Sequence, residues 1–238
     1  MALSSEVACG ELNPSELGTK TYWEEAYQNE LNNFTNHGDV GEVWFGSKNE
    51  CRVVRWLLQH AEKTSHILDI GCGNGHLLVH LAKEGFTNLT GVDYVENAVI
   101  LAKELAAKEA VSVLFEVGDI LEQDLPCPSF SRKYDFVLDK GTYDAISLCP
   151  DNPQKKRRCY LEVLSQILAT GGHFVIVSCN WTQQELTAHF KRGIEVLRQW
   201  SCHLICLHRA LPFCGMLDTG PFPEPTSSSP DHIESHHS

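Results

Sequence analysis

The chain has 238 residues, 42% hydrophobic and 21% charged, a balance that suits one globular domain with a sizeable core. Its 19 basic and 31 acidic residues leave a formal net charge of −12, a field that opposes nucleic acid and favours a basic protein partner. No run of about 18 apolar residues is present, so no membrane-spanning helix is expected.

In chain order, Thr21-Tyr-Trp-Glu24 reads as a capping box opening a helix to about residue 34. A glycine-containing loop follows, Gly38-Asp-Val-Gly-Glu-Val-Trp-Phe-Gly46. Residues 49–62 place Val53, Val54, Leu57 and Leu58 on one apolar helical face. Strands are expected at residues 67–69, 89–94, 112–117, 134–139 and 173–179. Helices are expected at 76–84, 96–109 and 155–168, the last stopped by Gly171-Gly172. Thr182-Gln-Gln-Glu185 is a second capping box, opening a helix to about residue 191. Strands alternating with helices predict an α/β, doubly wound, mostly parallel sheet. Gly193-Ile-Glu-Val-Leu-Arg-Gln-Trp200 is a plausible sixth strand, and His203-Leu-Ile-Cys-Leu207 is the only late apolar run.

The sequence divides into a flexible segment at residues 1–14, a folded domain at 15–211 and a tail at 212–238. Pro, Ser, Gly and His dominate that tail, which predicts disorder. The first 30 residues lack a basic, then apolar, secretory pattern, so the ten cysteines are expected as reduced thiols in the cytosol or nucleus. Cys202, His203, Cys206, His208 and Cys214 fit no zinc template well, and no metal is expected.

The densest signal is Ile67-Leu-Asp-Ile-Gly-Cys-Gly-Asn-Gly75. An apolar strand ends at Asp69, and Gly71, Gly73 and Gly75 leave bare backbone at a helix start, where a ligand can approach. His76 stands where a dinucleotide fingerprint wants its third glycine. Asp69, Asp93, Asp119 and Asp139 stand at or near four successive strand ends, where an open α/β sheet binds ligands. Asp93, about 20 residues past the loop, is placed to accept ribose hydroxyls.

This D-x-G-x-G-x-G loop resembles that of the S-adenosylmethionine (SAM) dependent methyltransferases. The resemblance implies SAM as cofactor. It puts Asp69, Gly71 and Gly73 at the methionine end, Asp93 and Tyr94 at the ribose and adenosine, and Asp119 with Ile120 at the adenine. Strand four is not followed by the [Asn/Asp]-Pro-Pro-[Tyr/Phe] motif of adenine methyltransferases, which disfavours base-flipping chemistry. Instead Glu42-Val-Trp-Phe-Gly46, Asp139-Lys-Gly-Thr-Tyr-Asp-Ala-Ile-Ser-Leu148, Pro150-Asp-Asn152 and Ser178-Cys-Asn-Trp-Thr182 resemble the lysine methyltransferases of translation elongation factor 1A.

That resemblance covers roughly residues 15–195 and implies a protein-lysine N-methyltransferase of the cytosol, with the nucleus as a second location. A monomer with a protein substrate is expected, without nucleic acid or membrane. Asp139 is the candidate for steering the acceptor lysine or relaying its proton, against a structural pairing with backbone or with a basic side chain. Asn180 is a candidate acceptor for the amine hydrogen bond. Trp44 and Trp181 are candidate walls of the lysine channel, since aromatic faces attract cations. Two alternatives stand beside this reading: a methyltransferase for a small molecule or another residue type, and a SAM-binding module without turnover. The fold normally closes with a glycine-rich segment and an antiparallel strand beside strand five. No such segment is recognisable here, so an incomplete sheet is expected, unless residues 202–207 fill the place.

Overall fold

The computed structural model describes residues 10–122, 127–193 and 201–206. Six strands, all parallel, form one sheet in the order β3-β2-β1-β4-β5-β6. They are β1 (His66–Ile70), β2 (Asn88–Asp93), β3 (Leu114–Val117), β4 (Tyr134–Lys140), β5 (Leu168–Ser178) and β6 (Ser201–Cys206). The helices are α1 (Lys20–His37), α2 (Gly46–His60), α3 (His76–Lys83), α4 (Glu96–Lys108), α5 (Thr142–Ser147), α6 (Pro153–Ile167) and α7 (Gln183–Gly193). The expected doubly wound α/β sheet is the observed one.

Strand alternation divides the core into two layers. Ile67, Leu138, Val175 and Val177 pack with Val53 and Leu57 of α2 and with α3. Leu68, Ile70, Val137, Phe174 and Ile176 point the other way, onto Tyr143, Tyr160, Leu164 and Phe190 of α5, α6 and α7. The strand order reverses between β1 and β4, and helices cover both faces. That reversal opens a crevice at the carboxyl ends of the strands.

Several local expectations are corrected. Thr19, rather than Thr21, caps α1, accepting from Tyr22 N at 3.4 Å. The Gly171-Gly172 pair does not end a helix. It lies within β5, where the pairing with β4 slips between Tyr134–Leu168 and Phe136–His173, and Gly171 takes a φ of +76°. A six-residue helix, α5, follows β4 where no helix was expected. The second capping box forms as expected, with Glu185 accepting from Thr182 N at 2.9 Å.

At the C-terminal edge, Ser201–Cys206 lies parallel to β5 with Phe174 opposite Cys202 and Val177 opposite Ile205. Residues 203–206 of the late apolar run therefore pair with β5, whose edge is covered there. Gly193 ends α7 rather than starting a strand. The rest of the expected sixth strand and the tail lie outside the described residues.

Candidate active site

A cavity of about 320 Å³ sits at the carboxyl ends of β1, β2 and β4. Gly71, Gly73, Asp93, Tyr94, Asp119, Ile120, Trp44 and Asn180 line it; Asp69, Asp139 and Trp181 do not. The glycine loop forms its floor. Gly71 and Gly73 have φ of +66° and +55°, in the left-handed region. A side chain on Gly71 would meet Thr142 Oγ1, and one on Gly73 would meet the Tyr27 hydroxyl.

Asp93 fixes this loop. Its Oδ2 accepts from Gly73 N at 2.9 Å and its Oδ1 from Val95 N at 2.9 Å. Burial pushes its carboxyl up to about 6, although the amide donors pull the other way. Asp119, half-buried, accepts from Leu121 N at 2.8 Å, which turns the chain so that Ile120 faces the cavity.

Asp69 lies just beneath the wall. It is 1% exposed, and neither carboxylate oxygen has a hydrogen-bond partner. Burial pushes its carboxyl up to about 7, while Lys140 nearby opposes the shift. Two orphaned buried acceptors behind a glycine floor fit the ammonium end of an amino-acid ligand, met through water. A carboxyl raised in the folded state opposes folding as pH rises. Below about pH 4 both states are protonated, and between about pH 4 and 7 the unfolded chain ionises first, so stability falls. Asp69→Asn should therefore raise the ligand-free melting midpoint at neutral pH, by about 1–3 kcal/mol of stability, while weakening binding of the SAM that the sequence resemblance implies. Melts at about pH 5 and about pH 8 check it; a gain as large at the lower pH would refute the electrostatic account.

Asp139 is buried on the opposite sheet face from Lys140, its neighbour in sequence. Its Oδ1 accepts from Thr142 N at 2.8 Å, and its Oδ2 accepts from Tyr143 N at 3.0 Å and from Tyr160 Oη at 2.6 Å. The carboxylate thus starts α5 and ties it to α6, and burial pushes it up to about 7. Trp181 is 3% exposed; its indole N–H donates to Ser147 Oγ at 3.2 Å and the Arg157 guanidinium stacks 5.6 Å from the ring centroid. It is a core residue in this structure, not a channel wall.

Trp44 does face the cavity, packed 4.9 Å from Trp23 between ring centroids. Asn180 reaches it from the turn after β5. Asp144 builds that turn, accepting from Ser178 Oγ at 2.6 Å and from Cys179 N at 2.8 Å. Burial, with Asp144 beside it, pushes the Cys179 thiol up to about 12, so it stays protonated at neutral pH and is no nucleophile.

Sequence reading missed Tyr27, Asn74, Lys140 and Asp144 as site residues. All four line the cavity. The last three lie inside motifs that were legible, but nothing in the string says which way they point. The Asn74 amide donates to Val40 O at 3.0 Å and to Glu42 O at 3.1 Å, clamping the Trp44 loop onto the glycine loop. Ahead of α1, Ser15 N donates to Leu148 O at 3.0 Å, and Leu17 and Gly18 close one side of the cavity.

Comparison with known proteins agrees with this geometry. A family described as a methyltransferase domain matches residues 61–232. The EEF1A lysine methyltransferase 2 of Homo sapiens is 43% identical over 188 residues, 78% of each chain. The protein-lysine N-methyltransferase efm4 of Schizosaccharomyces pombe is 40% identical over 201 residues, 76% of this chain and 83% of that one. The crystal structure of the [4+2]-cyclase SpnF superposes with a TM-score of 0.54 at 15% identity, over 76% of this chain and 73% of that one, a likeness of fold alone. The protein is a SAM-dependent protein-lysine N-methyltransferase, and the chain belongs to the EEF1A lysine methyltransferase 2 family.

Proposed function

We propose that this chain methylates a lysine of translation elongation factor 1A. The observation that carries the reading is one continuous cavity. Its floor is the Gly71–Gly73 loop with Asp93 and Asp119, and its far wall is Trp44 and Asn180. Cofactor and acceptor ends therefore meet in one enclosure. The likeness to curated elongation factor 1A lysine methyltransferases supports the choice of acceptor.

SAM, when bound, supplies an electrophilic methyl on a positively charged sulfur. The protein's own groups do the rest. Asp93 accepts from the ribose hydroxyls, Asp119 and Ile120 hold the adenine, and the bare backbone at Gly71 and Gly73 admits the methionine end. Trp44 and Asn180 receive the lysine, Trp44 by its cation-attracting face and Asn180 by its amide oxygen. A free lysine has a pKa of about 10.4, so the reactive amine is rare at neutral pH. Enclosure in this apolar cavity and the neighbouring sulfonium charge both favour the neutral amine. Holding that amine in line with the methyl supplies much of the remaining acceleration. Asp139 contributes indirectly, by fixing α5 and with it Asp144 and the Asn180 turn.

We also take the chain to act as a monomer in the cytosol or nucleus, without nucleic acid or membrane. Its net charge of −12 and the free thiols of Cys51, Cys72 and Cys179 support that placement.

Incubation of the protein with SAM and elongation factor 1A, followed by peptide mass spectrometry, tests the reading. Methylated lysine on the factor is expected, at a rate rising with pH across the neutral range as the acceptor amine and Asp93 lose protons. Methylation only of arginine, or only of small amines, would overturn it.

A further inference from the structure

Three lysines line the cavity, and two of them are engaged. Lys20 pairs with Glu24 at 3.8 Å and lies over Tyr94, while Lys156 donates to Cys149 Sγ at 2.9 Å. Lys140 differs: among the described residues its ammonium has no hydrogen bond within 3.5 Å and no ion pair within 4.0 Å. Beyond the longer-range charges of Asp69 and Glu50, that ammonium has no contact partner, which leaves its N–H donors to water or to a ligand anion at the cavity.

Its position says which anion. In the β1–β4 register Ile70 lies opposite Asp139, so Lys140 stands one step beyond the last pair, level with Gly71. Side chains alternate along a strand, and Leu138, the partner of Asp69, shares a face with Lys140. Lys140 and Asp69 therefore project to the same side of the sheet, at the start of the glycine loop, where α2 brings Glu50. The ammonium is near enough to both carboxylates for its charge to be felt at each. Glu50 Oε2 is buried without a hydrogen-bond partner, Oε1 being taken by His76 at 2.8 Å and His80 at 3.2 Å. A cation with no direct contact at the wall, with a carboxylate that lacks hydrogen-bond donors just beneath, is the complement of a zwitterion: an ammonium and a carboxylate on one carbon.

We infer that Lys140 binds the α-carboxylate of the cofactor's methionine end, opposite the Asp69 that answers its amino group, and so sets the depth at which the molecule sits. This rests on the reading of the cavity as the SAM site. It gives Lys140 a positioning role distinct from the ribose and adenine contacts, and it separates Lys140 from Asp139, whose carboxylate lies on the other sheet face.

Titration calorimetry on the full chain tests it with two ligands, SAM and decarboxylated SAM, which keeps the amine and lacks the carboxylate. Wild-type protein should bind SAM about 10–100-fold more tightly than the decarboxylated compound, the range of a charge-assisted hydrogen bond. Lys140→Met should remove that preference by weakening SAM alone, and Lys140→Arg should restore much of it. A Lys140→Met protein that keeps the wild-type preference, or weakens both ligands equally, would overturn the inference while leaving the site reading intact. Should the Met variant not fold, wild-type protein that binds the two ligands equally overturns it just as well. Wild-type protein that binds neither would overturn the cofactor site itself, and the inference with it.

Discussion

Asp93→Ala should weaken SAM binding by about 1.5–3 kcal/mol, one to two orders of magnitude in affinity. Two losses combine. The ribose hydroxyls would lose the charged acceptor proposed for them, and the amides of Gly73 and Val95 lose the carboxylate that now holds them at 2.9 Å each. The second loss reaches the empty protein as well. Asp93 is 5% exposed, so both donors would be left unsatisfied in a buried setting. The melting midpoint should fall with the affinity. Asp93→Asn separates the terms: its amide oxygen can still accept one backbone donor, but its charge is gone. Calorimetry and thermal melts on both variants decide the matter. SAM affinity unchanged in Asp93→Ala would remove this residue from the site, and preferential binding of NAD by the wild type would overturn the cofactor.

Asp139→Ala should cost about 2–4 kcal/mol of stability, because Tyr160 Oη and the amides of Thr142 and Tyr143 lose a buried acceptor together. For a domain of this size that lowers the midpoint by roughly 5–15 °C. Turnover should fall too, since α5 carries Asp144, which shapes the Asn180 turn. SAM affinity should move least. The informative variant is Asp139→Asn, which keeps an oxygen for the α5 amides. We expect it to retain most of both stability and turnover. A variant that melts like wild type yet transfers no methyl would place the Asp139 carboxylate in the reaction itself, restoring the direct role that its sequence motif suggested.

Much was legible from the residues alone. Apolar runs ending in acids, alternating with amphipathic segments, specify a parallel sheet because only βαβ crossovers satisfy both periodicities. The triple-glycine loop and the acid about 20 residues later specify a nucleotide-type crevice, because a ligand needs bare backbone and a hydroxyl acceptor there. The capping box at Thr182 was readable because its reciprocal hydrogen bonds are local.

Direction and partnership were not readable. Asp139 and Lys140 are strand neighbours, so the pleat puts them on opposite faces; only the packing of α5 and α6 on one face and the site loops on the other decided that Lys140 meets the cavity. Trp44 and Trp181 carry the same side chain in comparable motifs; packing against Trp23 leaves one at the cavity wall, while Ser147 and Arg157 hold the other in the core. Residues 202–207 lacked the expected closing pattern, but the open edge of β5 offered unpaired backbone groups, and β6 pairs with them. Local chemistry fixes what can be read along the chain. Strand register and long-range packing, set only when distant segments meet, decide which of those side chains face the ligand.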